Sequence, residues 1–496
     1  MSKLNQLTNL GQSIWLDYIR RAFIDSGELQ QLIDRGIRGV TSNPTIFEKS
    51  IAGSADYDNA MKELVAAGKS NQEIYEALAL EDIGRAADLF RPVYDATDGQ
   101  DGYVSLEVSP TLAHNTEGTI AEGRRLFSTL NRPHVMIKVP ATPQGIPAIS
   151  QLISEGVNVN VTLMFSLDHY HRVAEAYLSG LERLAASGGD LKKVASVASF
   201  FISRVDTAVD RALEQAGNQA LQGMIAIANA KMVYQRFRQI FSGDRWEKLA
   251  QAGAQVQRVL WASTGTKNPL YPDTLYVDAL IGAHTVNTVP PATLNAFLDH
   301  GKVAATIETE AAEAETRISQ LKNLGIDLNA ITEQLQQDGL ASFADSFEKL
   351  MTAIAEKREK IAAGKKDFVT QMNGYQKWID AGLEKLKSER IVQRIWEHDH
   401  TVWKAAPDEI SNRLGWLHSP EIMMAAVDSI TQFVDEIRAE GFTHALLLGM
   451  GGSSLAPEVF RLTFGVKQGY LDLQVLDSTT PDAVLTISRN IDPAKT

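Results

Sequence analysis

Along the first two thirds of the chain, short runs that are apolar at nearly every position alternate with longer stretches in which apolar residues return every three or four positions. A run without polar alternation fits a strand buried on both faces, and the longer period fits an amphipathic helix. The strand-like runs are SIWLDYI, RGVTSN, GYVSLEVS, HVMIKVP, VNVNVTLMF, VASVASFFIS, RVLWAST and AHTVNTVP, eight in all. Segments such as SLDHYHRVAEAYLSGLERLAAS separate them and keep the helical period. Strands alternating with helices predict parallel pairing, and eight such repeats predict a closed (β/α)8 TIM barrel.

The pattern then changes. After the eighth strand the chain reads as helix through AAEAETRISQLKNLGIDLNAITEQLQQDGLASFADSFEKLMTAIAEKREKI. The charged run AEKREKIAAGKKD that closes this stretch reads as a solvated helix face. Beyond it, WIDAGLEKLKSERIVQRIWEHDHTVW opens a new composition with Trp378, Trp396, Trp403 and, shortly after, Trp416. A strand (THALLLGM), a glycine-rich loop, a helix and a second strand (LDLQVLD) follow. The predicted domains are therefore 1–365, the barrel with its C-terminal helices, and 366–496. One strand–helix–strand beginning is too little sheet for a complete domain, so the second unit reads as the front of something longer.

Composition narrows the function. The 496 residues carry 48 basic and 61 acidic side chains, a net charge of −13. No basic face for nucleic acid or an anionic membrane is indicated. The absence of cysteine excludes a disulfide scaffold, a thiolate nucleophile and a cysteine-ligated metal site. The polar start, MSKLNQLTNLGQ, and the lack of a run of about 18 apolar residues predict a soluble, cytoplasmic protein. His398 and His400 read as surface or structural residues on a helical stretch, because i, i+2 positions do not share a helix face. His169 and His171 open a helix and read as core or capping residues. Trp396, Trp403 and Trp416 read as packing residues of the second unit.

The residue that stands out is Lys138, the only ionisable side chain within VMIKVP. Position alone allows an exposed or salt-bridged lysine at a strand end. The other reading is an amine whose ammonium form is disfavoured by apolar surroundings, free to attack a carbonyl. The ends of the other strands favour the second reading. They carry Asp17; Ser42 and Asn43; Glu107; Asn160 and Thr162; Ser199 and Arg204; and Ser263 and Lys267. In a (β/α)8 barrel these C-terminal ends converge on one mouth, where the chemistry sits. A Schiff-base lysine with carboxylate acid/base partners and hydroxyl-binding amides is the inference.

The segments WLDYIRR, GVTSNPTIFEKSI, YVSLEVSP, MIKVPATPQGIPAI, NVNVTLMFS, ASFFISRVD and LWASTGTKNP together resemble a transaldolase across roughly residues 1–365. The resemblance implies a barrel of class I aldolase type. It implies Lys138 as the Schiff-base lysine, Asp17 as acid/base, and Glu107 with Thr162 as the pair holding the catalytic water. Asn43, Asn160 and Ser199 match residues that bind substrate hydroxyls or the imine, and Arg204 matches a phosphate ligand. Many family members carry a second arginine after the seventh strand, where this chain reads STGTKN. Lys267 is the nearest cation there, and would bind phosphate as a point charge.

The implied reaction moves a dihydroxyacetone unit between sugar phosphates. Fructose 6-phosphate and erythrose 4-phosphate would give sedoheptulose 7-phosphate and glyceraldehyde 3-phosphate in the pentose phosphate pathway, with no metal or other cofactor. An aldolase that releases free dihydroxyacetone is the alternative, and a non-catalytic sugar-phosphate sensor is a second. Association into a homo-oligomer is left open.

In the second unit, Gly449, Gly451, Gly452, Ser453 and Ser454 sit between a strand and a helix. They could form a tight turn, or place N–H groups and hydroxyls around an anion. The third glycine of a dinucleotide fingerprint is missing. LLLGMGGSSLAPEVF with LDSTTPDAV resembles the start of glucose-6-phosphate isomerase, a sugar-isomerase (SIS, Rossmann-like αβα) fold, over about residues 370–496. That implies Gly452 and Ser453 as sugar-phosphate ligands of a bifunctional protein. The family's phosphate loop, catalytic glutamate and later histidine and lysine would lie beyond Thr496, so no isomerase activity is expected of this chain by itself.

Overall fold

The computed structural model describes residues 2–362 and 375–496. The expected domain boundary at 365 and the end of the charged run AEKREKIAAGKKD lie outside the described residues. The chain divides into two compact units, Met1–Val369 and Thr370–Thr496.

In the first unit, eight strands form a closed barrel in chain order. They are β1 (Gln12–Leu16), β2 (Gly39–Thr41), β3 (Tyr103–Glu107), β4 (Val135–Pro140), β5 (Val159–Met164), β6 (Ser196–Phe201), β7 (Arg258–Ala262) and β8 (Thr285–Val289). Each coincides with one of the runs expected to be strands. Every neighbouring pair is parallel, and β1 closes on β8 from Gln12 opposite Thr285 to Leu16 opposite Val289. All strand positions are buried except Arg258, which is partly exposed. Helices outside and side chains inside cover both faces, and so even the polar strand residues, such as Asn160, Thr162 and Asn287, are buried.

Local signals start the helices where the barrel needs them. Ser70 and Glu73 form a capping box ahead of Asn71–Ala96. Asn115 caps Thr116–Leu130, and Ser166 caps Leu167–Ala186 through the His169 N–H. One irregularity matters for the site. Between Val161 and Met164 the register of β5 against β6 shifts, and Leu163 adopts φ +61°. This bulge leaves the Leu163 carbonyl off the strand ladder, where it accepts a bond from Gln336 Nε2 at 2.9 Å.

The donor, Gln336, belongs to the longest helix, Leu328–Ala362, which runs over the C-terminal ends of the strands. Gln336 Nε2 also reaches the Ala141 carbonyl at 3.2 Å. Thr45 and Ser346 share a hydroxyl bond of 2.8 Å, and Lys357 Nζ pairs with Asp58 Oδ1 at 2.9 Å.

The opposite end of the barrel is closed by charge. Asp101, just ahead of β3, accepts from Trp15 Nε1 at 3.2 Å, from Arg258 Nη2 at 3.0 Å and from the Ser13 hydroxyl. Arg258 Nη1 donates to Ser13 Oγ at 2.9 Å, and its guanidinium lies 5.9 Å from the Trp15 ring centre. Asp101→Ala strands the Arg258 charge among apolar neighbours and is expected to cost about 3–5 kcal/mol. Thermal unfolding measures this; KM for the variant's substrates is expected to stay put, because the network lies at the far end from the mouth.

In the second unit, β9 (His444–Leu448) and β10 (Asp472–Leu476) pair in parallel as a two-stranded sheet. The helix Gly452–Phe464 lies between them in sequence. Two sequence expectations fail here. Trp396, Trp403 and Trp416 are not core residues: they are 51 %, 47 % and 64 % exposed, and Trp396 makes an edge contact with His418. Two strands give helices little surface to cover, and among the described residues of this unit Leu414, Leu417 and Ser454 are the buried ones. His398 is not helical either. The helix Ile391–Trp396 ends before it, His398 has φ +61°, and His400 begins a short 3-10 turn. His398 Nε2 instead meets His418 Nε2 at 2.9 Å with the two rings stacked.

Among the described residues, no helix is long and apolar enough to cross a membrane, and no group of three or more His, Asp or Glu side chains is placed to hold a metal ion.

Candidate active site

Parallel register brings the chemistry together. Glu107 on β3 stands opposite Lys138 on β4, and Lys138 stands opposite Asn160 on β5. Side chains in register on neighbouring strands point to the same face, so all three project into the barrel. Lys138 is buried, with Nζ 3.2 Å from Glu107 Oε2 and 3.1 Å from the Ser42 carbonyl. Asn160 donates to Ser105 Oγ at 3.0 Å and accepts from the Ser199 hydroxyl at 2.7 Å. Ser199 is thereby fixed by the strand beside it.

A cavity of about 390 Å³ opens above these groups at the C-terminal mouth. Asp17, Asn43, Lys138, Thr162, Ser199 and Arg204 all line it, as does Lys267 at the rim. Glu107 and Asn160 are not on its wall. They stand behind it, against Lys138 and Ser199. Asp17 follows directly on β1 and accepts from Thr41 Oγ1 at 2.8 Å. Thr41 shares a further 2.7 Å hydroxyl contact with Thr288, so the carboxylate is held from β2 and β8 together. Asn43 uses Oδ1 to cap the turn Pro44–Phe47, accepting from the Ile46 N–H at 2.9 Å. Its amide N–H groups remain for a ligand. The Thr162 hydroxyl is buried without a hydrogen-bond partner. A buried hydroxyl in that state is a place for a reacting group or a water to bind.

Both carboxyls are perturbed in the same sense. Burial pushes Asp17 above its ordinary value, opposed by the Lys138 ammonium, the Thr41 hydroxyl and the Lys267 charge. Burial also pushes Glu107 up, again opposed by Lys138. Two carboxyls beside one lysine, each with raised proton affinity, form a site suited to accepting and returning protons.

The cations at the rim are of a different kind. Arg204 opens the helix Ser203–Gln215, 5.5 Å from the Phe201 ring centre, and among the described residues it has no hydrogen-bonded or ion-paired carboxylate. Burial lowers its proton affinity, partly offset by Asp338. An arginine held half-buried without a carboxylate is a receptor for an anion. Lys267 is exposed on the loop after β7. That loop is tied to the arginine's helix by Tyr271, which donates to Asp210 Oδ2 at 2.6 Å. Tyr276 similarly donates to Asp206 Oδ2 at 3.0 Å, and burial pushes the Asp206 carboxyl up to about 7.

Among the wall residues that sequence reasoning missed are Tyr18, Lys49, Phe201 and Phe343. Lys49 adds a third cation to the mouth. Nothing in FEKSI distinguishes it from a solvated lysine, because its position depends on the short π-helical turn Glu48–Ala52. His169, expected in the core or at a cap, is buried and holds Glu333 at 2.7 Å. His171 is exposed. In the second unit, Gly452 is the first residue of its helix and Ser453 is exposed beside it. Gly451, at φ +92°, makes the turn between strand and helix, and Ser454 Oγ closes it by donating to the Gly451 carbonyl at 2.9 Å.

Comparison with known proteins agrees with this geometry. Residues 14–354 match the family described as Transaldolase/Fructose-6-phosphate aldolase. A transaldolase of Trichodesmium erythraeum is 47 % identical over 372 residues, which are 72 % of this chain and 98 % of that protein. A transaldolase of Saccharopolyspora erythraea is 48 % identical over 362 residues, again 72 % of this chain and 98 % of the relative. Transaldolase 2 of Nostoc punctiforme is 46 % identical over 369 residues, 71 % of this chain and 97 % of the relative. With the lysine, its carboxylates and the cation rim set in a closed eight-stranded barrel, the chain belongs to the transaldolase/fructose-6-phosphate aldolase family.

Proposed function

We propose that the barrel transfers a dihydroxyacetone unit from fructose 6-phosphate or sedoheptulose 7-phosphate to an aldose phosphate through an imine on Lys138. One observation carries the reading: a buried lysine in contact with Glu107, sharing a cavity with Asp17, beneath a rim that carries Arg204 and Lys267. The ammonium of Lys138 gives a proton to a neighbouring carboxylate. The neutral amine then attacks the ketose carbonyl carbon, and a hydroxide equivalent leaves as water. Glu107 and the Thr162 hydroxyl hold that water. The protonated imine draws the electrons of the C3–C4 bond toward nitrogen as Asp17 takes the C4 hydroxyl proton. An aldose phosphate departs, and the enamine remains on the lysine. Addition to an incoming aldose phosphate reverses these steps. Asn43 and Ser199 bind substrate hydroxyls, Asn160 orients Ser199, and Arg204 with Lys267 binds the phosphate.

The substrates in this proposal are fructose 6-phosphate with erythrose 4-phosphate, and sedoheptulose 7-phosphate with glyceraldehyde 3-phosphate. These charged esters do not cross bilayers, which is the argument for a cytoplasmic setting. The second unit is assigned to the start of a glucose-6-phosphate-isomerase-like SIS domain, divided from the barrel near residue 365. Its strand, glycine turn, helix and parallel strand support that assignment, with Gly452 and Ser453 as the loop's sugar-phosphate ligands.

A product assay tests the reaction. Fructose 6-phosphate is expected to yield sedoheptulose 7-phosphate only when erythrose 4-phosphate is added, with little free dihydroxyacetone in its absence. Equal cleavage with and without the acceptor would make the enzyme an aldolase instead.

A further inference from the structure

Transfer demands that the enamine survive until a second aldose phosphate arrives. The groups that touch Lys138 Nζ on the strand side are polar: Glu107 and the Ser42 carbonyl. The other side is different. Phe343, 5 % exposed, lines the cavity with its ring centre 5.7 Å from Nζ. A three-carbon unit on Nζ would lie within reach of that ring.

The ring is held with unusual care for a residue on a C-terminal helix. Gln336, seven positions earlier and therefore on the same helix face, is itself 2 % exposed. It bonds the carbonyls of Ala141 and Leu163, at the ends of the strands that carry Lys138 and Thr162. Three positions after Phe343, Ser346 bonds Thr45 in the segment that follows Asn43. Phe347 adds an edge contact to Tyr75, 5.4 Å between ring centres. Gly339 permits the approach: a Cβ there would meet Leu163 Cδ2 at 2.9 Å.

We propose that Phe343 determines partition of the bound three-carbon unit, favouring transfer to an aldose phosphate over release as free dihydroxyacetone. This rests on the Schiff-base reading of Lys138. Release begins when a proton from solvent water forms a C–H bond at the nucleophilic enamine carbon, while the nitrogen lone pair becomes the C=N bond. Water then adds to the imine carbon, and the C–N bond breaks to return the lysine amine. The sum is enamine plus water giving amine plus dihydroxyacetone. An apolar ring over the intermediate keeps bulk water from the first step. The Glu107–Thr162 side still serves imine formation and product hydrolysis.

The test uses the full chain with fructose 6-phosphate and erythrose 4-phosphate, measuring free dihydroxyacetone per sedoheptulose 7-phosphate formed. Phe343→Ala is expected to raise that ratio about tenfold, whereas Phe343→Leu, which keeps apolar bulk, is expected to stay within about twofold of wild type. Gln336→Ala frees the helix from both strand carbonyls and is expected to raise the ratio by a smaller factor. Both products come from one intermediate, so the ratio is independent of the folded fraction. An unchanged ratio in Phe343→Ala and Gln336→Ala overturns the assignment, as does an equal rise in Phe343→Leu. Borohydride with fructose 6-phosphate on the wild type separates the two levels. A labelled Lys138 with unchanged ratios removes only the role of Phe343, and no label removes the Schiff-base reading beneath it.

Discussion

Lys138→Ala is expected to reduce transfer by about four orders of magnitude or more, because Lys49 and Lys267, the other lysines on the cavity wall, are exposed and Lys138 is the buried one. The fold is expected to survive. Glu107 loses its cation, but burial already holds its carboxyl above the ordinary range, so it takes up a proton instead of standing as a bare buried charge. Circular dichroism and thermal unfolding report the fold. Borohydride in the presence of fructose 6-phosphate should then label the wild type at one peptide and leave the variant unlabelled. A variant that still acquires the label would place the imine on a different lysine. Lys49 and Lys267, on the same cavity wall, are the ones to check.

Asp17→Asn is expected to separate imine formation from bond cleavage. The side chain keeps an oxygen for the Thr41 hydroxyl, so local geometry is preserved, but it cannot take the C4 hydroxyl proton. Transfer should fall about 10²–10⁴-fold while borohydride labelling of Lys138 by fructose 6-phosphate persists. Loss of labelling would instead place Asp17 in the formation of the imine.

The pH profile follows from the same carboxyl. Burial raises Asp17, so it stays protonated and inactive as a base to higher pH than an ordinary aspartate at about 3.9. Rate is therefore lost as pH falls through a midpoint above that value, and recovered as pH rises through it. The asparagine variant should lose this part of the acid limb. An acid limb identical in both proteins would assign it to Glu107, whose carboxyl is raised as well.

Much of the barrel could be read from the chain because a strand buried on both faces leaves a plain mark: charged residues are nearly absent from it. Lys138 was visible for that reason, as the one charge within VMIKVP. What spacing could not give was register. Nothing in the chain says that Glu107, Lys138 and Asn160 stand side by side, since that depends on the stagger of three strands joined through helices. The Leu163 bulge was equally hidden, because leucine has no preference for positive φ. Phe343 falls at an ordinary apolar position of an amphipathic helix, and only the fold shows that its face covers the mouth instead of the core. The tryptophans of the second unit misled for the opposite reason. An aromatic residue is evidence of packing only where there is sheet enough to pack against.

The helix Leu328–Ala362 also sets an order of assembly. Barrel closure needs nothing beyond β8, which ends at Val289. The bonds from Gln336 to Ala141 and Leu163, from Ser346 to Thr45 and from Lys357 to Asp58 span much of the sequence. Contacts between such distant segments close large loops and form late. In a chain emerging from the ribosome, the eight strands and Lys138 precede the helix that covers the amine, which leaves an interval before that helix docks. During that interval any small carbonyl compound in the surroundings can reach the amine, and a stable adduct there would disable the enzyme before its first turnover. Docking of the helix is, in that sense, chemical protection of the amine.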